Sequence, residues 1–141
     1  MKKLFIYTLI ISSFVGLLVS CDPNDNGNDT NTDPRDKFVG NWTCNENSNQ
    51  NGSSSFTVAI TLNSGNSSQI YLSNFYHLGT SQKVYAVVAG DNATIPEQTV
   101  SGFTIKSGSG SIYNSNTKIS WKYNVSDGAD IDTCTAEFTK Q

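Results

Sequence analysis

Histidine occurs once in the 141 residues, at His77, methionine once and proline three times. One histidine with no ligand-type residue at a fixed spacing beside it makes no zinc site, which needs several ligands. There is no G-x-S-x-G elbow, no P-loop and no G-x-G-x-x-G turn. The chain is therefore not expected to be an enzyme, and no cofactor or metal is expected. Basic residues are few, 9 against 12 acidic ones. That excludes the basic stripe that nucleic acid requires. Past residue 21 no apolar run is long enough to cross a bilayer as a helix, which takes about 20 residues, and no helical stripe is present.

The one long apolar run is at the start. Lys2 and Lys3 precede a 16-residue stretch, Leu4 to Val19, interrupted by Thr8, Ser12, Ser13 and Gly16. Charge, length and a small-residue exit fit a secretory signal over residues 1–20. Leu18-Val19-Ser20-Cys21 closes it and resembles a bacterial lipobox. The resemblance implies lipidation of the Cys21 thiol, cleavage before Cys21 and a stable hold on the membrane, since two or more acyl chains anchor where one does not. Residues 21–35 then read as a polar tether, too poor in apolar side chains to offset the entropy of ordering. Asp22-Pro23-Asn24-Asp25-Asn26-Gly27 matches half of a calcium loop, but Asp33 stands where a Glu is wanted and no flanking helices follow. Loss of Lys2 and Lys3 leaves 7 basic against 12 acidic residues, a net charge of −5.

Residues 36–141 read as one all-β domain. Ile119 to Val125 alternates apolar and polar without exception, and Phe56 to Leu62 and Phe38 to Cys44 repeat the pattern, the latter with Val39 out of step. Turn-forming clusters separate the runs: Asn63-Ser64-Gly65-Asn66, Gly90-Asp91-Asn92, Asn114-Ser115-Asn116 and Asp127-Gly128. Eight strands are predicted near 38–46, 54–62, 69–76, 82–89, 93–100, 102–107, 110–113 continuing into 117–125, and 131–139. The Ser- and Gly-rich stretch 101–117 leaves its register open, and 102–107 with 110–113 also reads as one bulged strand. Short connections favour an antiparallel up-and-down eight-stranded barrel, with a two-sheet sandwich as the alternative. In an exported chain the two remaining cysteines, Cys44 and Cys134, are expected to pair as a disulfide. Its loop of about 90 residues would contribute about 4–5 kcal/mol. Alternation places both thiols inward, on the first and last strands, where a bond would close the meander.

Gly40-Asn41-Trp42 at the start of the first strand resembles the G-x-W opening of lipocalins and related calycin barrels. With the lipobox, the tether, Arg35 to Trp42, Ile95-Pro96-Glu97-Gln98 and a late Cys134, the chain resembles small lipocalin-like lipoproteins of Gram-negative gut bacteria. The resemblance implies that Trp42 plugs one end of the barrel and that a late basic residue, here Lys140, packs across it. It also implies an outer-membrane lipoprotein held by its lipid anchor, with periplasmic and cell-surface display both open. No ligand is implied. The family's Asp/Tyr motif is not evident.

Aromatic side chains are the remaining candidates for chemistry. Tyr71, Phe75, Tyr76, His77, Tyr85, Trp121 and Tyr123 are expected either to fill the core or to line a cup for a small apolar or amphipathic ligand. An eight-stranded barrel has room for one or the other. A filled barrel that docks an envelope protein or a glycan through its outer surface is the rival function. Asp127, Asp130 and Asp132 read as a turn that caps itself with carboxylates.

Overall fold

The computed structural model describes residues 32–141. The signal segment, Cys21 and most of the tether lie outside the described residues.

Nine strands form one sheet: β1 (Gly40–Ser48), β2 (Gly52–Leu62), β3 (Gln69–Ser73), β4 (Lys83–Ala89), β5 (Asn92–Ile95), β6 (Gln98–Val100), β7 (Phe103–Tyr113), β8 (Lys118–Ser126) and β9 (Ile131–Lys140). All pairings are antiparallel. The order runs β5-β4-β3-β2-β1-β9-β8-β7-β6, and β5 also pairs with β7, which closes the sheet into a barrel. Eight strands make the wall, and β6 is a short extra strand on the upper half of β7. The sandwich alternative falls, because a sandwich leaves its sheets unpaired at their edges.

Alternation positions the core as expected. In β8 Ile119, Trp121, Tyr123 and Val125 are buried, and in β9 Asp132, Cys134, Ala136 and Phe138 are. The predicted strand 93–100 is divided in two. Pro96 has no N–H to give to a ladder, so β5 stops at Ile95. Gln98 spans the resulting gap with its side chain: Oε1 accepts from Tyr85 N at 2.9 Å, and Nε2 donates to Tyr85 O at 2.8 Å. A side-chain amide thus replaces the missing backbone pair between β4 and β6. Residues 103–113 are one strand with a register shift between Ile105 and Ser107. The extra residue moves Gly108 and Gly110 to inward positions. They need to be glycines because neighbours lie over them. A Cβ on Gly108 would come within 3.0 Å of Ile95, and one on Gly110 within 2.7 Å of the Trp121 ring.

At the other end of the barrel from the turn at Asn74, the packing centres on Trp42. Trp42 is fully buried, donates its indole N–H to Phe38 O at 2.8 Å and carries Lys140 Nζ 5.3 Å above its ring. Asp33 and Arg35, assigned to the tether by composition, are built into this end. Arg35 Nη1 donates to the carbonyls of Asn63, Asn66 and Gln69 at 3.2, 2.8 and 3.1 Å, tying the incoming chain to the β2–β3 turn. Asp33 grips the same guanidinium at 2.6 Å.

The expected disulfide is not formed. Cys44 and Cys134 are both buried and both free. They do lie inward on the paired strands β1 and β9, but Cys44 stands opposite Phe138 and Cys134 opposite Ser48. Four residues of offset is about 13 Å along a strand, beyond the reach of a disulfide. The ring is closed instead by the β1–β9 and β5–β7 hydrogen-bond ladders.

Candidate functional site at the open end

The end of the barrel opposite Trp42 is bounded by the turns 49–51, 74–82, 101–102 and 127–130. Below it the interior changes from apolar to polar. Glu46 and Ser48 on β1 and Asp132 on β9 point inward and are buried. A carboxylate in a core costs free energy unless hydrogen-bonded or paired. Asp132 is well supplied. It accepts from Ser48 Oγ at 2.5 Å, Tyr76 OH at 2.8 Å, Gln50 N at 3.2 Å and Asn51 Nδ2 at 3.3 Å. Burial pushes its carboxyl up, but the bonds from Ser48, Tyr76, Gln50 and the Cys134 thiol together outweigh this and hold it below its ordinary value. Glu46 is less well supplied. It accepts a bond from Tyr123 OH and a long one of 3.5 Å from Ser54 Oγ. Burial raises its pKa, with the Asp132 charge adding to the effect and the Tyr123 bond opposing it. Burial likewise drives the Tyr123 and Tyr76 hydroxyls upward, so both remain neutral donors. Neither Glu46 nor Asp132 belongs to a salt bridge among the described residues.

Four of the aromatic candidates converge here. Phe75, Trp121 and Tyr123 are buried together, with Phe75 4.5 Å from Tyr123 and 5.9 Å from Trp121 between ring centres. Tyr76 lies half-buried above them, 5.8 Å from Phe103 and 6.4 Å from Tyr123. His77 is on the rim, exposed and stacked on Phe56 at 5.0 Å. Tyr71 and Tyr85 do not join them. They are a cross-strand pair on the outside of β3 and β4, since Ile70, Leu72, Val84 and Ala86 take the inward positions. Lys83 lies over the Tyr71 ring at 5.4 Å.

A cleft of about 300 Å³ opens above the network, lined by Gln50, Asn51, Tyr76, Phe103, Asp127 and Asp132 among others. The mouth thus combines two aromatic walls with acidic groups. Such a set suits a small ligand with an apolar body and a polar or positive end.

The architecture has solved counterparts. The redesigned β-barrel b11L5F_LGL superposes with a TM-score of 0.57 at 12% identity, over 77% of this chain and 96% of that one. The barrel EF1p2_mFAP2b bound to DFHBI gives 0.56 at 12% identity, over 77% and 98%. The shared feature is the fold. At this identity nothing further transfers. No family model and no curated protein matches the chain.

Glu46 is absent from the sequence-based set and Asp132 was placed in a surface turn, although a signal for an inward position was present for both. Glu46 keeps step with Trp42 and Cys44, and Asp132 with Cys134 and Phe138, so alternation alone directs both carboxylates inward. A charged residue on the core face of a strand is the informative exception. Asp127 does cap its own turn, accepting from Ala129 N and Asp130 N at 2.9 Å each. Asp132 belongs to the interior instead.

Proposed function

We propose that this chain is a lipid-anchored envelope lipoprotein whose barrel is a binding module, taking a small amphipathic ligand at its open end. One observation carries the binding reading: Asp132, a buried carboxylate in no salt bridge among the described residues, lines an aromatic-walled cleft, with a second buried acid, Glu46, deeper on β1. Buried charge is normally paired, and a ligand's positive end would supply the pair. That a barrel of similar fold is bound to DFHBI is compatible with a small-ligand role. Export, the anchor at Cys21 and an outer-membrane location rest on the lipobox-like Leu18-Val19-Ser20-Cys21. The proposal is of a binder and not of an enzyme.

Native mass spectrometry of the full chain extracted from its own membranes tests this. The expected mass begins at an acylated Cys21 and carries a small-molecule adduct that Asp132→Asn weakens. A bare barrel that also ignores added amphipathic amines overturns the binding reading. An unacylated chain that remains soluble overturns the anchor. A second reading, docking through the outer wall, is favoured by the outer face of β1, β2, β8 and β9. There Asn45, Asn47, Ser53, Lys122, Thr135 and Glu137 help line an open groove of about 710 Å³. The hydroxyl and amide groups among its lining residues suit a glycan.

A further inference from the structure

The binding-module reading leaves open what the interior aromatic group is for, and the segment that closes the mouth supplies an answer. After β3 ends at Ser73, the chain turns over the opening through Asn74 and a short 3-10 turn, Phe75–His77. Asn74, Tyr76 and His77 have φ of 65°, 52° and 55°. Bulky L-residues rarely adopt this left-handed region, and such strain persists only where surrounding contacts enforce it. The enforcing contacts include the stacking of His77 on Phe56, the packing of Tyr76 against Phe103 and Tyr123, and a set of side-chain hydrogen bonds. Asn74 Nδ2 donates to Thr57 O at 2.8 Å, Asn74 Oδ1 accepts from Gly79 N at 2.9 Å, and Tyr76 OH is held by Asp132. The effect of the turn is to drive Phe75 down between Trp121 and Tyr123.

A hydrocarbon ring is a poor match for that place. Trp121 is fully buried, and its indole N–H is the one buried side-chain polar atom without an acceptor among the described residues. Buried donors are nearly always satisfied. Next to Tyr123, Glu46 is a buried acid whose two partners, Tyr123 and Ser54, are both uncharged. Phe75, edge-to-face with Trp121, offers at most the weak acceptor of a π face and no positive charge.

We propose that Phe75 is a built-in stand-in for the ligand. A flat aromatic molecule carrying an amine at one end and a hydrogen-bond acceptor at the other displaces it when residues 74–79 lift. Its ammonium then pairs with Glu46, and its acceptor takes the Trp121 N–H. The inference rests on the binding-module reading and names the ligand class for it.

The test uses the full chain with tyramine as probe, followed by calorimetry and by tryptophan fluorescence. Phenethylamine, which lacks the hydroxyl, and 3-(4-hydroxyphenyl)propionate, which carries a carboxylate in place of the amine, are the comparisons. Phe75→Ala is expected to bind tyramine about tenfold or more tighter than the wild type, and each comparison compound about tenfold weaker than tyramine, because a site built to pair a polar group rejects the analogue without it. Phe75→Leu keeps an apolar filler should the alanine variant not fold. It is expected to show the same order with a smaller gain. Equal binding of the amine and the carboxylate by either variant overturns the proposal. Tyramine bound equally by wild type and variants, and weakened only by Asp132→Asn, also overturns it while leaving binding at the mouth intact. No binding by any of them, with no adduct on the native chain, removes both readings.

Discussion

Gly110→Ala is the sharpest probe of how this barrel is packed. Gly110 faces inward on β7 directly opposite Trp121 on β8, and an added Cβ would come within 2.7 Å of three ring atoms. Real Cβ atoms do not tolerate that approach, so the indole must tilt or the strands must part. The indole has little freedom, because Phe75 and Phe138 lie 5.9 and 6.0 Å from it. Overpacking of this kind costs about 1–3 kcal/mol. The substitution also reduces the entropy of the unfolded chain, which returns about 0.4–1 kcal/mol. The net expectation is a loss of about 1–2 kcal/mol, or a fall in Tm of about 5–10 °C for a domain of this size. Thermal unfolding followed by near-ultraviolet circular dichroism reads both the stability and the indole environment. A double-mutant cycle with Trp121→Leu isolates the cause. Without the ring, alanine at 110 should be neutral or slightly stabilising, giving a coupling of about 1.5–3 kcal/mol. A raised Tm for Gly110→Ala, or additive effects in the cycle, would refute the claim that the ring lies on the backbone.

Two further outcomes follow from the buried groups. With both thiols free, a reducing agent should leave Tm unchanged, and mass-tagging of the unfolded chain should label Cys44 and Cys134 alike; a Tm that drops on reduction would restore the cross-link. Burial raises the Glu46 carboxyl above its ordinary 4.5, so its stabilising contribution is complete below that value and is lost as pH rises through the folded one. Glu46→Gln should therefore be more stable than wild type near neutral pH, by about 1 kcal/mol, with denaturant titrations showing a flatter pH profile. Asp132, held below its ordinary 3.8, has the opposite sign and contributes stability that fades only as pH falls through its lowered value.

Much of this fold was readable because a barrel wall repeats the simplest of patterns. Ile119 to Val125 and Phe56 to Leu62 alternate, and they are strands. Trp42, inward by the same alternation, is buried, and Lys140 lies over its ring. The failures share a cause, namely that alternation gives the face of a residue but not its height along the strand. Cys44 and Cys134 are on the correct face and four residues out of step. Tyr71 and Tyr85 sit on strands where the inward positions are also apolar, so aromatic character misled where parity did not. The break at Pro96 was marked by the proline, but its repair by the Gln98 side chain depends on a contact 13 residues distant. The strained turn at Asn74 to His77 carries no glycine at its left-handed positions, so composition gave no warning of it.

Arg35 has a mechanical consequence. The chain joins the barrel at the pole opposite the mouth, and the guanidinium fastens that junction to three carbonyls before β1 begins. A pull from upstream therefore meets this clasp first. Beyond it lies β1, paired over Gly40–Ser48 with β2 and over Trp42–Ser48 with β9.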